Sequence, residues 1–342
     1  MISRRTLVLS ALSAAAMSRA GRAHAAPNAD WRRISAEGLP GRRWDHSLSA
    51  HGKRKELVVA FGRDDAGTPL GDCWTADRST GEWAPLSAAG PSPRFGHAVT
   101  SDASTGLIYL FGGEQGDQFF SDLWVLDLDA GAWELLAESG DVNGPSPRYG
   151  TSLVLDEDGG LYLSHGFTLE GRFDDTWRFD LTTGRWEDYS PAPEKRPLRR
   201  CLHEAAWDRS SQTMWLYGGC SSGFGPCPQG DLWQFDPGTG AWSELAVAGP
   251  DGRSNPSLVT GSDDELLLFG GMTAAGAVND LWVGARSEAG VAWELAPVAP
   301  DGPAPRSSHD AVLSGGALYL FGGLGQAGAL GDLWRLKLDA AS

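Results

Sequence analysis

Six short apolar runs punctuate the chain, and each ends at or beside a glycine: VVAFGR from Val58, IYLFGG from Ile108, LYLSHG from Leu161, MWLYGG from Met214, LLLFGG from Leu266 and LYLFGG from Leu318. After each comes a polar loop and then Asp-x-Trp: Asp72-Cys73-Trp74, Asp122-Leu123-Trp124, Asp175-Thr176-Trp177, Asp231-Leu232-Trp233, Asp280-Leu281-Trp282 and Asp332-Leu333-Trp334. The tryptophans are spaced by 50, 53, 56, 49 and 52 residues, so one phrase of about fifty residues recurs six times. A second Trp follows most of them: Trp83, Trp133, Trp186, Trp242 and Trp293. Runs this short, bounded by Gly and turn residues, read as β-strands. Each repeat yields four. Run a follows an Arg, run b is the apolar phrase, run c starts with Asp-x-Trp and run d contains the second Trp. A b run that is apolar at every position predicts burial on both faces of its sheet.

The doublet of glycines with spaced tryptophans resembles the kelch repeat, from Trp31 to about Leu338. That resemblance implies an all-β fold: a six-bladed β-propeller of four-stranded antiparallel blades. Two repeats depart from the phrase. Arg63 stands where the second Gly is expected, and Ser164-His165-Gly166 disturbs the third repeat. The sixth repeat stops at RLKLDAAS without a d run, while the N-terminus has a spare one, ADWRRISA. The expectation is that Trp31 brings the missing outer strand and closes the ring, which protects otherwise open sheet edges.

Residues 1–25 read differently. A basic start, an apolar stretch from Leu7 to Met17 and Ala-His-Ala at 23–25 describe a signal peptide, and Ser3-Arg4-Arg5-Thr6-Leu7 resembles the twin-arginine type. The expected organisation is this segment followed by one propeller over 27–342, in a periplasmic or secreted protein that is a monomer. Composition narrows the partners. The formal charge is −16, and it becomes −20 without the first 25 residues, which hold four Arg and no acid. Such a chain repels nucleic acid and anionic membrane. Export permits disulfides; Cys220 and Cys227 flank one loop and are the candidate pair, with Cys73 and Cys201 as buried thiols. None has zinc-like spacing, so neither metal nor cofactor is expected.

Antiparallel order puts the a–b and c–d turns at one face and the b–c loops and d-to-a connections at the other. Asp102, Asp156, Glu157, Asp158, Asp208, Asp263, Asp264 and Glu265 crowd the first face. The second carries an Arg before each a run: Arg43, Arg94, Arg148, Arg200, Arg253 and Arg306. That ring suits an anionic ligand, since guanidinium matches carboxylate; six-fold repetition equally suits a structural job done in every blade. His46, His97, His203 and His309 share one repeat position and are candidates for ligand contact or for buried packing. The irregular fourth repeat, with Arg199-Arg200 and the Cys220–Cys227 loop, is the favoured contact point. The leading expectation is a non-catalytic exported binding protein for a protein, acidic or carbohydrate ligand. The alternative is a carbohydrate-active enzyme similar to the sialic acid mutarotases, with Glu204 as base and Arg200 as carboxylate clamp, or to galactose oxidase. No P-loop, nucleophile elbow or His-Glu-x-x-His is present, and no copper constellation of Tyr and His is readable.

Overall fold

The structure, a computed structural model, describes residues 30–35, 39–102, 104–261, 265–287, 290–297 and 300–338. The targeting segment expected at 1–25, and Asp263 and Asp264, lie outside them. Among the described residues the fold is all-β, with one 3-10 turn at Pro193–Lys195. Each repeat forms one antiparallel sheet in the order a-b-c-d. The second, for example, runs Ala98–Ser101, Leu107–Phe111, Leu123–Asp127, Ala132–Ala137. Six such sheets are described, and the fifth gains a short parallel strand, Val247–Ala248. The last sheet takes its outer strand from the other end of the chain: Trp31–Ser35 pairs antiparallel with Leu333–Lys337.

The b strands are buried along almost their whole length because both faces of each sheet are covered by neighbours. Repeats 2 and 3 share one apolar cluster, in which Phe111 and Trp186 stack edge to face. Repeats 5 and 6 share another, where buried Trp31 lies 5.3 Å from Phe269. Repeats 1 and 6, far apart in sequence, share a third, built on Leu57, Val59, Tyr319 and Phe321. Each outer-strand Trp wedges against its neighbour sheet, a burial worth roughly 2–3 kcal/mol by area.

The motif residues lock each repeat internally. The Arg before run a turns inward and is at most 1% exposed in all six repeats. It forks onto the Asp of its own Asp-x-Trp at 2.6–3.1 Å: Arg43 on Asp72, Arg94 on Asp122, Arg148 on Asp175, Arg200 on Asp231, Arg253 on Asp280 and Arg306 on Asp332. Its Nη1 also donates to the carbonyl that follows run b, such as Gly112 O at 3.0 Å or Gly218 O at 2.9 Å. The same carboxylate accepts the indole N–H of the motif Trp at 2.6–2.8 Å. One Asp thus holds the d-to-a connection, the end of b and the start of c together.

This geometry corrects the reading of the glycine doublet. The first-Gly position, whose carbonyl takes the Arg, is left-handed throughout, and Phe61 and His165 occupy it in repeats 1 and 3 with φ of 57° each. The second-Gly position is kept by Gly62 and Gly166, where a Cβ would meet backbone oxygens at 2.9 and 3.2 Å. Arg63 therefore does not replace a glycine; it stands one place later, level with Glu114.

Removing one partner from a buried ion pair leaves an uncompensated charge and costs about 3–5 kcal/mol. Asp122→Ala is expected to lose stability of that order in urea unfolding, and the double variant Arg94→Leu/Asp122→Leu to recover most of it.

Candidate functional site

Six left-handed residues encircle the opening between the innermost strands: Asp45, Gly96, Gly150, Leu202, Asn255 and Ser308. Each donates its backbone N–H to the carbonyl of the one before, at 2.8–3.1 Å, and Asp45 donates to Ser308, so the hydrogen bonds return to their start. Under this circle lies a small cavity of about 110 Å³ lined by the beginnings of the a strands. The histidines that follow four of the circle members point back into the preceding sheet. His46 meets Phe321 at 5.2 Å, His97 meets Phe61 at 5.5 Å and His309 meets Phe269 at 5.4 Å, all edge to face. His203 lies 5.3 Å from His165 and bonds Ser152 Oγ at 2.9 Å. Burial, helped by the nearby arginine in each case, lowers His97, His203 and His309 to about 3, so their rings are neutral. The histidine rings pack between sheets, and all four also line the cavity. The arginine ring is likewise not at the surface: its donors are spent on Asp-x-Trp and on carbonyls.

One place further along the a strands stand Ser47, Ala98, Ser152, Glu204, Ser257 and Asp310. Two carboxyls interrupt a series of small residues. Burial and the Asp310 charge raise Glu204 well above the usual carboxylate range. Burial raises Asp310 to about 7 against backbone N–H groups of Leu48 and Ala311 that favour its charged form. Arg200 is not the companion of Glu204: it is buried on Asp231, which overturns the proposed clamp. Asp310 follows His309 as Glu204 follows His203, and aligning the repeats on the preceding Arg puts both acids in one column. Among the described residues no group of three or more His, Cys, Asp or Glu could hold a metal.

The two ends of the sheets differ sharply. On the a–b and c–d turns the carboxylates cap their own backbone. Asp102 accepts Ser104 N, Asp156 accepts Asp158 N and Gly160 N, and Asp208 accepts Ser210 N. Hydrogen bonds from Ser79 and Thr80 hold the half-buried Asp77 down at about 2. The opposite end carries variety. There the residue after each motif Arg pairs with the residue after each glycine: Trp44 with Arg63, Phe95 with Glu114, Tyr149 with Phe167, Cys201 with Cys220, Ser254 with Met272 and Ser307 with Leu324. No two pairs are alike. Arg63 lies over Trp44 at 3.5 Å and Phe95 at 4.1 Å while bonding Asp45 at 2.6 Å. Phe119, Tyr149 and Phe167 continue the aromatic belt. Arg172 then reaches from Phe167 to Cys220 O and Ser222 O on the loop closed by the Cys220–Cys227 disulfide. Of the eight large apolar side chains exposed among the described residues, Leu39, Val142, Leu169, Leu198, Phe224 and Met272 are on this end; Leu135 and Leu295 are on outer strands.

The profile of the KLHDC2/KLHL20/DRC7 Kelch-repeats domain matches residues 25–219 and 210–342. The chain belongs to the kelch-repeat family. It is 24% identical over 335 residues, 91% of its own length, to the Leucine-zipper-like transcriptional regulator 1 homolog of Drosophila melanogaster, of which it covers 32%. It is 30% identical over 170 residues to mouse Multiple epidermal growth factor-like domains protein 8, covering 48% of this kelch chain and 6% of that protein. The flagellar outer arm dynein alpha chain of Chlamydomonas reinhardtii matches at 31% over 127 residues, 35% of this chain and 3% of its own. The chain spans about a third or less of the curated relatives it matches.

Asp310 gives this kelch protein a pH signature. Between an unfolded carboxyl near about 3.9 and the folded value of about 7, the folded state keeps a proton the unfolded chain has lost, so stability falls as pH rises through that window. Asp310→Asn is expected to melt higher than wild type at pH 8, with the gap closing towards pH 4. Calorimetric Tm values across that range measure it.

Proposed function

We propose that this chain is an exported, non-catalytic binding protein, a closed six-bladed kelch propeller that takes a partner protein on the end formed by its b–c loops and d-to-a connections. Closure is supported by the returning circle of backbone hydrogen bonds, by the core shared between the first and last repeats, and by the Trp31 strand on the sixth sheet. Export rests on the sequence of residues 1–25. The binding end rests on one observation: among the described residues, every loop-borne exposed large apolar side chain projects from it, over a ring of six dissimilar residue pairs, while the Arg–Asp ties beneath repeat. Repetition marks structural work, and departure from it marks recognition. Exposed aromatic and aliphatic anchors within a polar rim are the make-up of a protein interface. Around the fourth repeat Lys195 and Arg199 stand exposed on this end, Arg199 beside Asp174 at 3.4 Å, and they suit an acidic segment of the partner.

A second reading is favoured by the raised Glu204 and Asp310 beside the axial cavity: a carbohydrate-active enzyme using Glu204 in proton transfer. Accelerated anomerisation of a sialic acid, abolished by Glu204→Gln, would establish that reading and displace ours.

For the binding reading, the mature chain is used to capture and identify a partner, whose affinity is then measured by biolayer interferometry. Leu169→Ser and Phe224→Ser are each expected to weaken it at least tenfold, with Leu295→Ser on the outer strand unchanged. Equal losses from all three, or none, would remove the assigned surface.

A further inference from the structure

We propose that Cys201, Cys220 and Cys227 form a thiol–disulfide exchange site, in which Cys201 displaces Cys227 from Cys220 and leaves Cys227 as an exposed, modifiable thiol. Cys201 and Cys220 face each other across an antiparallel bridge and exchange both backbone hydrogen bonds, at 3.1 and 2.8 Å. Directly opposed residues send their side chains to the same side of the ribbon, and a hydrogen-bonded pair places its Cα atoms about 5.5 Å apart. That separation is inside the range a disulfide spans without backbone movement, about 4.4–6.8 Å. A free thiol therefore sits in register with one half of an existing disulfide. Cys201 and Cys220 are buried, whereas Cys227 is exposed at the end of its loop.

Arg172 makes the place chemically distinct. Its Nε donates to Cys220 O at 3.1 Å, its Nη1 to Ser222 O at 2.9 Å, and its Nη2 lies 3.8 Å from Cys220 Sγ. Burial raises the Cys201 thiol and the Arg172 charge works against that rise. Ser222 Oγ, 3.0 Å from Cys220 Sγ, adds a hydroxyl at the sulfur under attack. Cys73, the other free thiol, is buried in the first repeat near Phe61 and Leu110 and takes no part.

The step balances without an outside oxidant. Cys201 gives up its proton and its Sγ attacks Cys220 Sγ. The Cys201–Cys220 bond forms as the Cys220–Cys227 bond breaks, the electron pair leaves on Cys227, and that thiolate takes up a proton from solvent. One disulfide and one thiol remain. Two properties of the loop change. Residues 221–226, with exposed Phe224 on the binding end, are no longer held in a ring, and Cys227 becomes open to S-thiolation by low-molecular-weight disulfides.

Cys227→Ser in the full chain tests the site. Treated with oxidised glutathione, this variant is expected to form a Cys201–Cys220 disulfide, read as a loss of two hydrogens in the intact mass and located by peptide mapping. In wild type, acid quenching and alkylation are expected to label Cys227 in a minor fraction, formed about ten times faster per pH unit below the thiol's pKa, and Cys201→Ala is expected to abolish that labelling. If oxidised Cys227→Ser, with wild-type circular dichroism, instead keeps Cys201 free or carries only glutathione on Cys220, the proposal is overturned. A Cys227→Ser chain that does not fold moves the decision to the wild-type labelling: none at Cys227 at pH 9 overturns it as well.

Discussion

Six buried guanidinium groups, each forked onto one carboxylate, hold this protein in shape. An ion pair in a dry interior is a weak source of net stability, because desolvating both charges consumes most of the attraction. What the pair supplies here is position. The Arg leaves the d-to-a connection, crosses to the carbonyl after run b, and meets the Asp that opens run c. A hydrophobic substitute would fill the volume but would not choose among the registers of three short strands. The motif Trp shares the carboxylate, so the large apolar wedge between sheets is oriented by the same group. Burial works to raise Asp72, Asp175, Asp231 and Asp332, and their arginines outweigh it and hold them low, which keeps these four ties charged at neutral pH.

Fixing the base of each b–c loop in this way frees its sequence. The circle of left-handed residues works similarly. Asp45, Leu202, Asn255 and Ser308 accept a backbone region that costs a side-chain-bearing residue roughly 1–2 kcal/mol, and each is compensated by a hydrogen bond to the next sheet. Since backbone atoms close the circle, the residues just before its members are free to vary. Recognition residues can accumulate where structure is carried by main chain and by the tie beneath.

Much of this was legible from letters alone. Apolar runs, spaced Trp and Asp-x-Trp gave the strands, their order within each repeat, and the partner of the Trp31 strand. The failures share a cause. Glycines were matched by identity, whereas the requirement is a left-handed residue whose carbonyl accepts the Arg; Phe61 and His165 meet it, and matching letters therefore shifted Arg63 by one place. The arginines were given a face by the loop that bears them, but a long side chain can turn inward from a surface loop. Glu204 stood out as the acidic neighbour of His203 and was set beside Arg200, a long side chain that instead turns inward onto Asp231; its electrostatic partner, Asp310, lies two repeats away, and the pairing is visible only in a column. The Asp-rich face looked like a charged surface because composition does not record that these carboxylates cap their own turns.

That last point explains why the two ends of the sheets diverged. The a–b and c–d turns are tight reversals that need an Asp or a left-handed Gly to close, as at Asp77 and Gly81 or Asp102 and Gly106. Their side chains are consumed in making the turn, so there is little to vary. The b–c loops are small hairpins carried on the tie, such as Glu114–Gln115 with Gln118–Phe119, and their reversals stand clear of the core. A hairpin supported from below tolerates Phe167, Met272 or a disulfide-closed loop at equivalent places. Apolar exposure settled on that end because it was the end at which an apolar side chain could be displayed without removing a cap that the fold requires.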